Sequence, residues 1–119
     1  MVLRLAEQYL IRAEARAEQN NLSGAKEDLD KIRNRAGLSG IVITTKQAML
    51  DAIAHERQVE LFTEWGHRWF DLKRTGTIDA VMAAASIQKG SVWNTYAKLF
   101  PIPQTEIQLN AHLVQNPGY

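Results

Sequence analysis

Met49-Leu50-Asp51-Ala52-Ile53-Ala54-His55-Glu56-Arg57-Gln58-Val59-Glu60-Leu61-Phe62-Thr63-Glu64 reads as a helix that carries charges where its core should be. With residues stepped at about 100° each, Met49, Leu50, Ile53 and Leu61 fall on one side. Glu56, Arg57, Glu60 and Glu64 fall on that same side. Ala48, Ala52, Val59 and Phe62 cover most of another face, and only a strip around Gln47, Asp51 and Gln58 is left for water. A helix apolar over so much of its circumference packs on more than one side. The spacing predicts a third helix that starts at a capping box of Thr44 and Gln47 and runs to about Glu64. The rest of the chain is read outward from it as all-α.

Glu56, Glu60 and Glu64 stand at i, i+4 and i+8. Like charges at that spacing repel, and an unpaired buried carboxylate costs far more. Cations must come close. Arg57, Arg68, Lys73 and Arg74 are near in sequence; Arg68 lies four residues after Glu64, and Asp71 three before Arg74. We therefore expect a partly buried structural ion network of Glu56, Arg57, Glu60, Glu64, Arg68, Asp71 and Arg74, pinning the third helix to the fourth. The competing reading is a carboxylate pair for general acid–base work, as in glycosidases. Arginine beside a carboxylate favours its charged form and so works against a general acid. Ligand or ion binding is the third reading. A hydrolase of this kind would lose sugar cleavage on one Glu→Gln change at 56, 60 or 64; we expect no cleavage before or after any of these changes, in a release assay on oligosaccharides.

Other chemistry finds no support in the spacing. His55-Glu56 begins like a zinc-protease motif, but Val59 stands where the second histidine belongs. His55, His67 and His112 show no ligand spacing and are read as surface or capping residues. There is no Gly-rich phosphate loop and no nucleophile elbow. We assign no catalytic residue, no metal site and no cofactor, and leave the ligand-binding residues unknown.

Upstream, Leu3, Ala6, Leu10, Ala13 and Ala17 make an apolar stripe at three- and four-residue steps, with Tyr9 on its flank. Its alanines let another helix come close. Asn20-Asn21 marks a turn. A second helix is expected with Ser23 as N-cap, Glu27 and Asp28 near its positive end, and Ala25, Leu29, Ile32 and Ala36 as its stripe. Gly37 stops it, and Leu38 fits a Schellman cap. The pair is an antiparallel hairpin. Tyr9, Ala13, Ala25 and Leu29 fit the large, small, small and large positions of a tetratricopeptide-like unit, although Arg12 and Arg16 stand where that repeat prefers apolar residues. There is no second copy, so the hairpin needs partners from elsewhere.

Downstream, a loop from Gly37 to Thr45 contains a short extended piece at Ile41-Val42-Ile43. A fourth helix is expected over His67 to Thr75, and a fifth around Ile78, Val81, Met82 and Ala85. Pro101 and Pro103 hold Phe100-Pro101-Ile102 extended, a turn of helix follows over Gln104 to Leu109, and Asn116-Pro117-Gly118 is a turn. The fold class is thus a tetratricopeptide-like helical hairpin, then further packed helices, then an irregular Pro-containing C-terminal segment. Trp65, Trp69 and Phe70 are expected in the core at the joint, and Trp93, Tyr96 and Phe100 as a second packed group. Flat rings of either group could alternatively serve as a sugar-binding platform.

The 119 residues suffice for one domain. Lys plus Arg is 14 and Asp plus Glu is 13, a balance that argues against nucleic-acid binding by bulk electrostatics. The absence of cysteine removes disulfides, thiolate metal sites and thiol nucleophiles from the segment. The longest apolar run, Ala80 to Ala85, is far shorter than a membrane span. The first residues enter an amphipathic pattern at once, with no signal-peptide core, so we expect a piece of a larger protein.

With these residues in place, a family resemblance stands out. Glu56-Arg57-Gln58-Val59-Glu60-Leu61 followed by Glu64-Trp65-Gly66-His67-Arg68-Trp69-Phe70-Asp71-Leu72-Lys73-Arg74 resembles the SusD/RagB family of outer-membrane nutrient-binding lipoproteins. Tyr9-Leu10-Ile11-Arg12-Ala13-Glu14-Ala15 and Ile32-Arg33-Asn34-Arg35-Ala36-Gly37-Leu38 are similar to its upstream hairpin. Leu99-Phe100-Pro101-Ile102-Pro103 and Gln115-Asn116-Pro117-Gly118-Tyr119 are similar to its closing segment. The resemblance implies that 1–119 is a single C-terminal helical domain of a protein several times longer. It implies a surface-exposed lipoprotein of the cell outer membrane that captures glycans or peptides for a SusC-like TonB-dependent transporter. Such a parent is a binding protein, not an enzyme, reaches the membrane only through its lipid anchor and takes no nucleic acid. The alternative is a free-standing tetratricopeptide-like adaptor for protein partners.

Overall fold

The computed structural model describes residues 3–119, and among them all regular structure is helical. The elements are α1 (Leu5–Glu18), α2 (Leu22–Arg35), α3 (Lys46–Glu60), α4 (His67–Arg74), α5 (Ile78–Gln88), a 3₁₀ turn (Thr95–Lys98) and α6 (Gln104–Leu109). Among the described residues no helix is long and apolar enough to cross a membrane. The chain forms two compact units, one through Arg68 and one from Trp69 to Tyr119.

In the first unit α1 and α2 form the expected hairpin. Its antiparallel sense follows from its cross-pairs, because Tyr9 lies against Lys31 while Arg16 reaches Gly24. Ala13, Ala17 and Ala25 are fully buried and let the two helices approach closely. Leu10, Leu29, Met49 and Ile53 fill the space between α1, α2 and α3. Tyr9, Leu22, Ile41 and Ile43 close the edges of this core.

The helix ends differ from expectation in instructive ways. Asn21, not Ser23, caps α2, because its side chain reaches the amide of Gly24 at 3.0 Å. Thr45, not Thr44, caps α3 by accepting from the amide of Ala48. The Schellman cap of α2 forms: the amide of Leu38 bonds the carbonyl of Arg33 at 2.9 Å, and that of Gly37 bonds Asn34 at 3.0 Å. It requires Gly37 at φ 75, a conformation that side chains with a Cβ resist. Helix α3 stops at Glu60 instead of Glu64. Leu61 is buried and turns the chain inward, and Thr63, Trp65 and Gly66 all take positive φ, which no α-helix tolerates.

The second unit has a thinner apolar interior, in which Leu72, Ile78 and the side chain of Ser86 are buried. The aromatic grouping is also rearranged. Trp69 sits 5.6 Å from Phe100 and edge-on to Trp93 at 6.3 Å, while Tyr96 meets Tyr119 edge-on at 5.2 Å. Trp65 and Phe70, expected in a core, are 66% and 62% exposed. Trp65 follows the break in α3, so the helical spacing that placed it inward no longer applies.

The proline stretch explains the closing segment. Pro101 and Pro103 have no amide hydrogen, so the backbone around them cannot join a helical ladder. Side chains of the last residues take over. Gln115 accepts from the amide of Ile102 at 2.8 Å and donates to its carbonyl at 2.9 Å. Asn116 donates to the carbonyl of Phe100, and the Tyr119 hydroxyl to that of Leu99. The turn that aims these groups needs Gly118, at φ 99, where an added Cβ would lie 2.3 Å from the ring of Tyr96. Gly118→Ala is therefore expected to release the tail and to cost about 1–3 kcal/mol locally. Amide exchange at Ile102 and Tyr119 should then speed up while α1 to α3 stay protected; unchanged exchange at Ile102 would count against this account.

Candidate functional site

Several of the charged groups that the sequence singles out are held by cations it did not name, and one further set was missed. The former surround the inner face of α3. Glu56 is buried and receives Arg33 Nη1 at 3.1 Å. Glu60 is held from both sides, by Arg4 Nη2 at 2.6 Å on one oxygen and Arg35 Nη2 at 2.6 Å on the other. Arg4 also pairs with Glu64, and its Nη1 donates to the backbone carbonyl of Glu60 at 3.0 Å. One guanidinium thus bridges two carboxylates of the i, i+4 ladder and caps the negative end of α3. Arg57, buried on the same helix, lies 4.0 Å from Glu7, which His67 Nδ1 approaches at 3.6 Å.

The cations seen on Glu56, Glu60 and Glu64 therefore come from α2 and from the residue before α1. A helical wheel of one segment cannot supply such partners. Asp71 and Arg74 make an i, i+3 pair on α4, at 2.8 Å. Arg68 is exposed at the division between the units. His55 and His112 are exposed.

The missed set lies inside the hairpin. Asp28 has no exposed surface, and three donors hold it. Arg12 grips it as a fork, Nε at 2.8 Å and Nη2 at 2.7 Å; Arg16 Nη1 adds a contact at 2.8 Å and also bonds the carbonyl of Gly24. The Arg12 guanidinium also lies 5.3 Å from the ring of Tyr9. Hydrogen bonding from Arg12 holds the Asp28 carboxyl below the usual carboxylate range, against the opposing effect of burial, with the charge of Arg16 adding to the lowering. The same bond raises Arg12. A signal was present in the sequence: two arginines at i, i+4, standing where a tetratricopeptide-like unit prefers apolar residues, call for an anion opposite them.

In the second unit Asp79 is the charged centre. It accepts from the Trp93 indole at 2.9 Å and from Lys98 at 3.0 Å, and these bonds, Trp93 first, hold its carboxyl low. The pairings orient Trp93 against Trp69. Asp28, Glu56, Glu60, Glu64 and Asp79 each have a cationic side chain in reach, an arrangement that suits packing.

Asp28 gives a prediction with a definite sign. A carboxyl whose folded value is depressed stabilises the fold above its unfolded value and loses that contribution as pH falls. Asp28→Asn should lower stability at neutral pH by about 2–3 kcal/mol. Denaturant titrations should also show a flatter loss of stability below about pH 4 in the variant than in the parent sequence. Equal acid slopes would sink the assignment.

Comparison with known proteins gives a consistent outcome. The pattern of the SusD family matches residues 1–119. The chain is 34% identical to the starch-binding protein SusD of Bacteroides thetaiotaomicron over 123 aligned residues, which cover 99% of this chain and 21% of that protein. A SusD superfamily crystal structure from Bacteroides vulgatus superposes with a TM-score of 0.83 at 28% identity, over 99% of this chain and 27% of its own. Surface glycan-binding protein A of Bacteroides thetaiotaomicron superposes with a TM-score of 0.80 at 34% identity, over 98% of this chain and 24% of its own. The chain thus spans about a fifth of the length of that curated relative and about a quarter of these solved structures.

Proposed function

The chain belongs to the SusD family, and on that basis we propose that it is the C-terminal, scaffold-forming part of a cell-surface lipoprotein that binds nutrient glycans or peptides. The parent would work with a SusC-like TonB-dependent transporter of the outer membrane and would bind without catalysing a reaction. The observation that carries this reading is the family match along the full segment, together with relatives named for starch and for surface-glycan binding. The geometry supports a scaffold role, because the buried charges of the first unit are spent on one another. Domain 1–119 is then the closing piece of a longer fold, and the ligand is contacted mainly from elsewhere in the parent.

The test is made on cells that carry the gene. An antibody to this segment should detect a membrane-associated polypeptide several times larger than 13.4 kDa. That band should be lost on protease treatment of intact cells and should co-purify with an outer-membrane barrel. A soluble band near 13.4 kDa, insensitive to external protease, would overturn the reading in favour of a free-standing adaptor.

A further inference from the structure

The first unit contains a carboxylate that its cations hold loosely. Asp28, Glu56 and Glu60 each receive an arginine nitrogen at 3.1 Å or less. Glu7, in the first turn of α1 and 15% exposed, is approached by Arg57 Nη2 at 4.0 Å and by His67 Nδ1 at 3.6 Å, both on Oε1. Both distances exceed that of a formed hydrogen bond. A carboxylate so far withdrawn from water gains from a charged donor that closes on it. The imidazole of His67, itself 20% exposed, stands where it can do so.

A histidine is a conditional donor. Neutral imidazole has one N–H, and with that proton on Nε2 it turns a lone pair toward its neighbour; imidazolium donates from both nitrogens. The ordinary histidine range lies near pH 6.5, about two pH units above that of glutamate. Between the two ranges a carboxylate keeps its charge while an imidazole gains one. The pair also joins parts of the chain that are distant in sequence. Glu7 belongs to α1, whereas His67 is the first residue of α4 and follows a turn in which Thr63, Trp65 and Gly66 take positive φ. The His67 amide bonds the carbonyl of Glu64 at 3.0 Å, which fixes the residue to that turn. Left-handed conformations of residues other than glycine cost free energy and persist where the surroundings hold them.

We propose that Glu7 and His67 form a proton-operated tie: the imidazolium closes on the Glu7 carboxylate and fastens the turn after α3 to α1, and loss of that proton loosens the turn. The other charged groups around the pair cannot act in its place. Arg57, on α3, shares Glu7 and so lessens the gain from a second cation, but an arginine stays charged throughout. Glu64, in the turn, is engaged by Arg4. Along α4, Arg68 is exposed and Asp71 pairs with Arg74. The tie therefore strengthens as pH falls through the histidine range and weakens as pH rises through it. It concerns the fold of the segment and stands whatever ligand the parent takes.

The test is deuterium exchange, read by mass on the intact protein that carries the segment. Protection, corrected for the intrinsic pH dependence of exchange, is compared at about pH 5.5 and about pH 7.5 for a peptide covering 61–68 and for a reference peptide within α2. We expect protection of 61–68 to be about threefold or more higher at the lower pH, with α2 changing by less than about twofold. His67→Gln, which keeps a neutral donor, should abolish the difference, and so should Glu7→Gln. His55→Gln, at an exposed position of α3, should preserve it. Equal protection of 61–68 at the two pH values in the unaltered protein would overturn the proposal, whether or not the variants fold. A difference that survives His67→Gln, or a gain in α2 as large as that in 61–68, would overturn it too, because the pH effect would then belong to another group or to the unit as a whole.

Discussion

A carboxylate with no surface, Asp28, sits between two arginines of the facing helix, and the geometry of the first unit depends on it. Burying that charge alone would be prohibitive. Gripped by Arg12 and Arg16 it becomes a constraint instead, because only one register of α1 against α2 satisfies all three donors. The buried alanines then bring the two backbones together, and Leu10, Leu29, Met49 and Ile53 pack in the space that this register leaves. Helix α3 joins a hairpin whose relative position is already fixed.

The same logic recurs at α3. Three glutamates on an inward stripe would oppose folding if left to themselves. Arg33 and Arg35 from α2, and Arg4 from the start of the chain, convert them into ties between distant segments. Such ties contribute less to net stability than apolar packing of the same volume would. Their effect is on specificity: an apolar stripe accepts several helix rotations, whereas a carboxylate held at 2.6 Å by a different arginine on each oxygen, as Glu60 is, accepts few.

The second unit is organised differently. Its few buried apolar residues are supplemented by side chains that stand in for missing backbone partners. Gln115, Asn116 and Tyr119 serve the proline stretch, and Asp79 orients Trp93. The similarity of Leu99 to Pro103 and Gln115 to Tyr119 to the family's closing segment therefore has a physical basis: the two stretches are one hydrogen-bonded assembly, in which tail side chains bond the backbone beside the prolines.

The sequence by itself determined the local structure. Stripe spacing placed α1 to α5, Gly37 and the prolines placed the stops, and the charges inside the third stripe announced that cations would be needed. These features depend on neighbours within a turn or two, which is the range over which side-chain spacing and backbone propensity act. The tertiary structure alone decided who pairs with whom. Arg4 and Glu60 are 56 positions apart, and Arg33 and Glu56 are 23 apart; no wheel of a single helix can see such partners. It also decided where α3 ends. The buried Leu61 and the fixed Glu60 carbonyl override a pattern that would have continued the helix, turning Trp65 from an expected core residue into an exposed one. Periodicity reports which residues seek burial, while the partners that bury them are set by the packing of the whole chain.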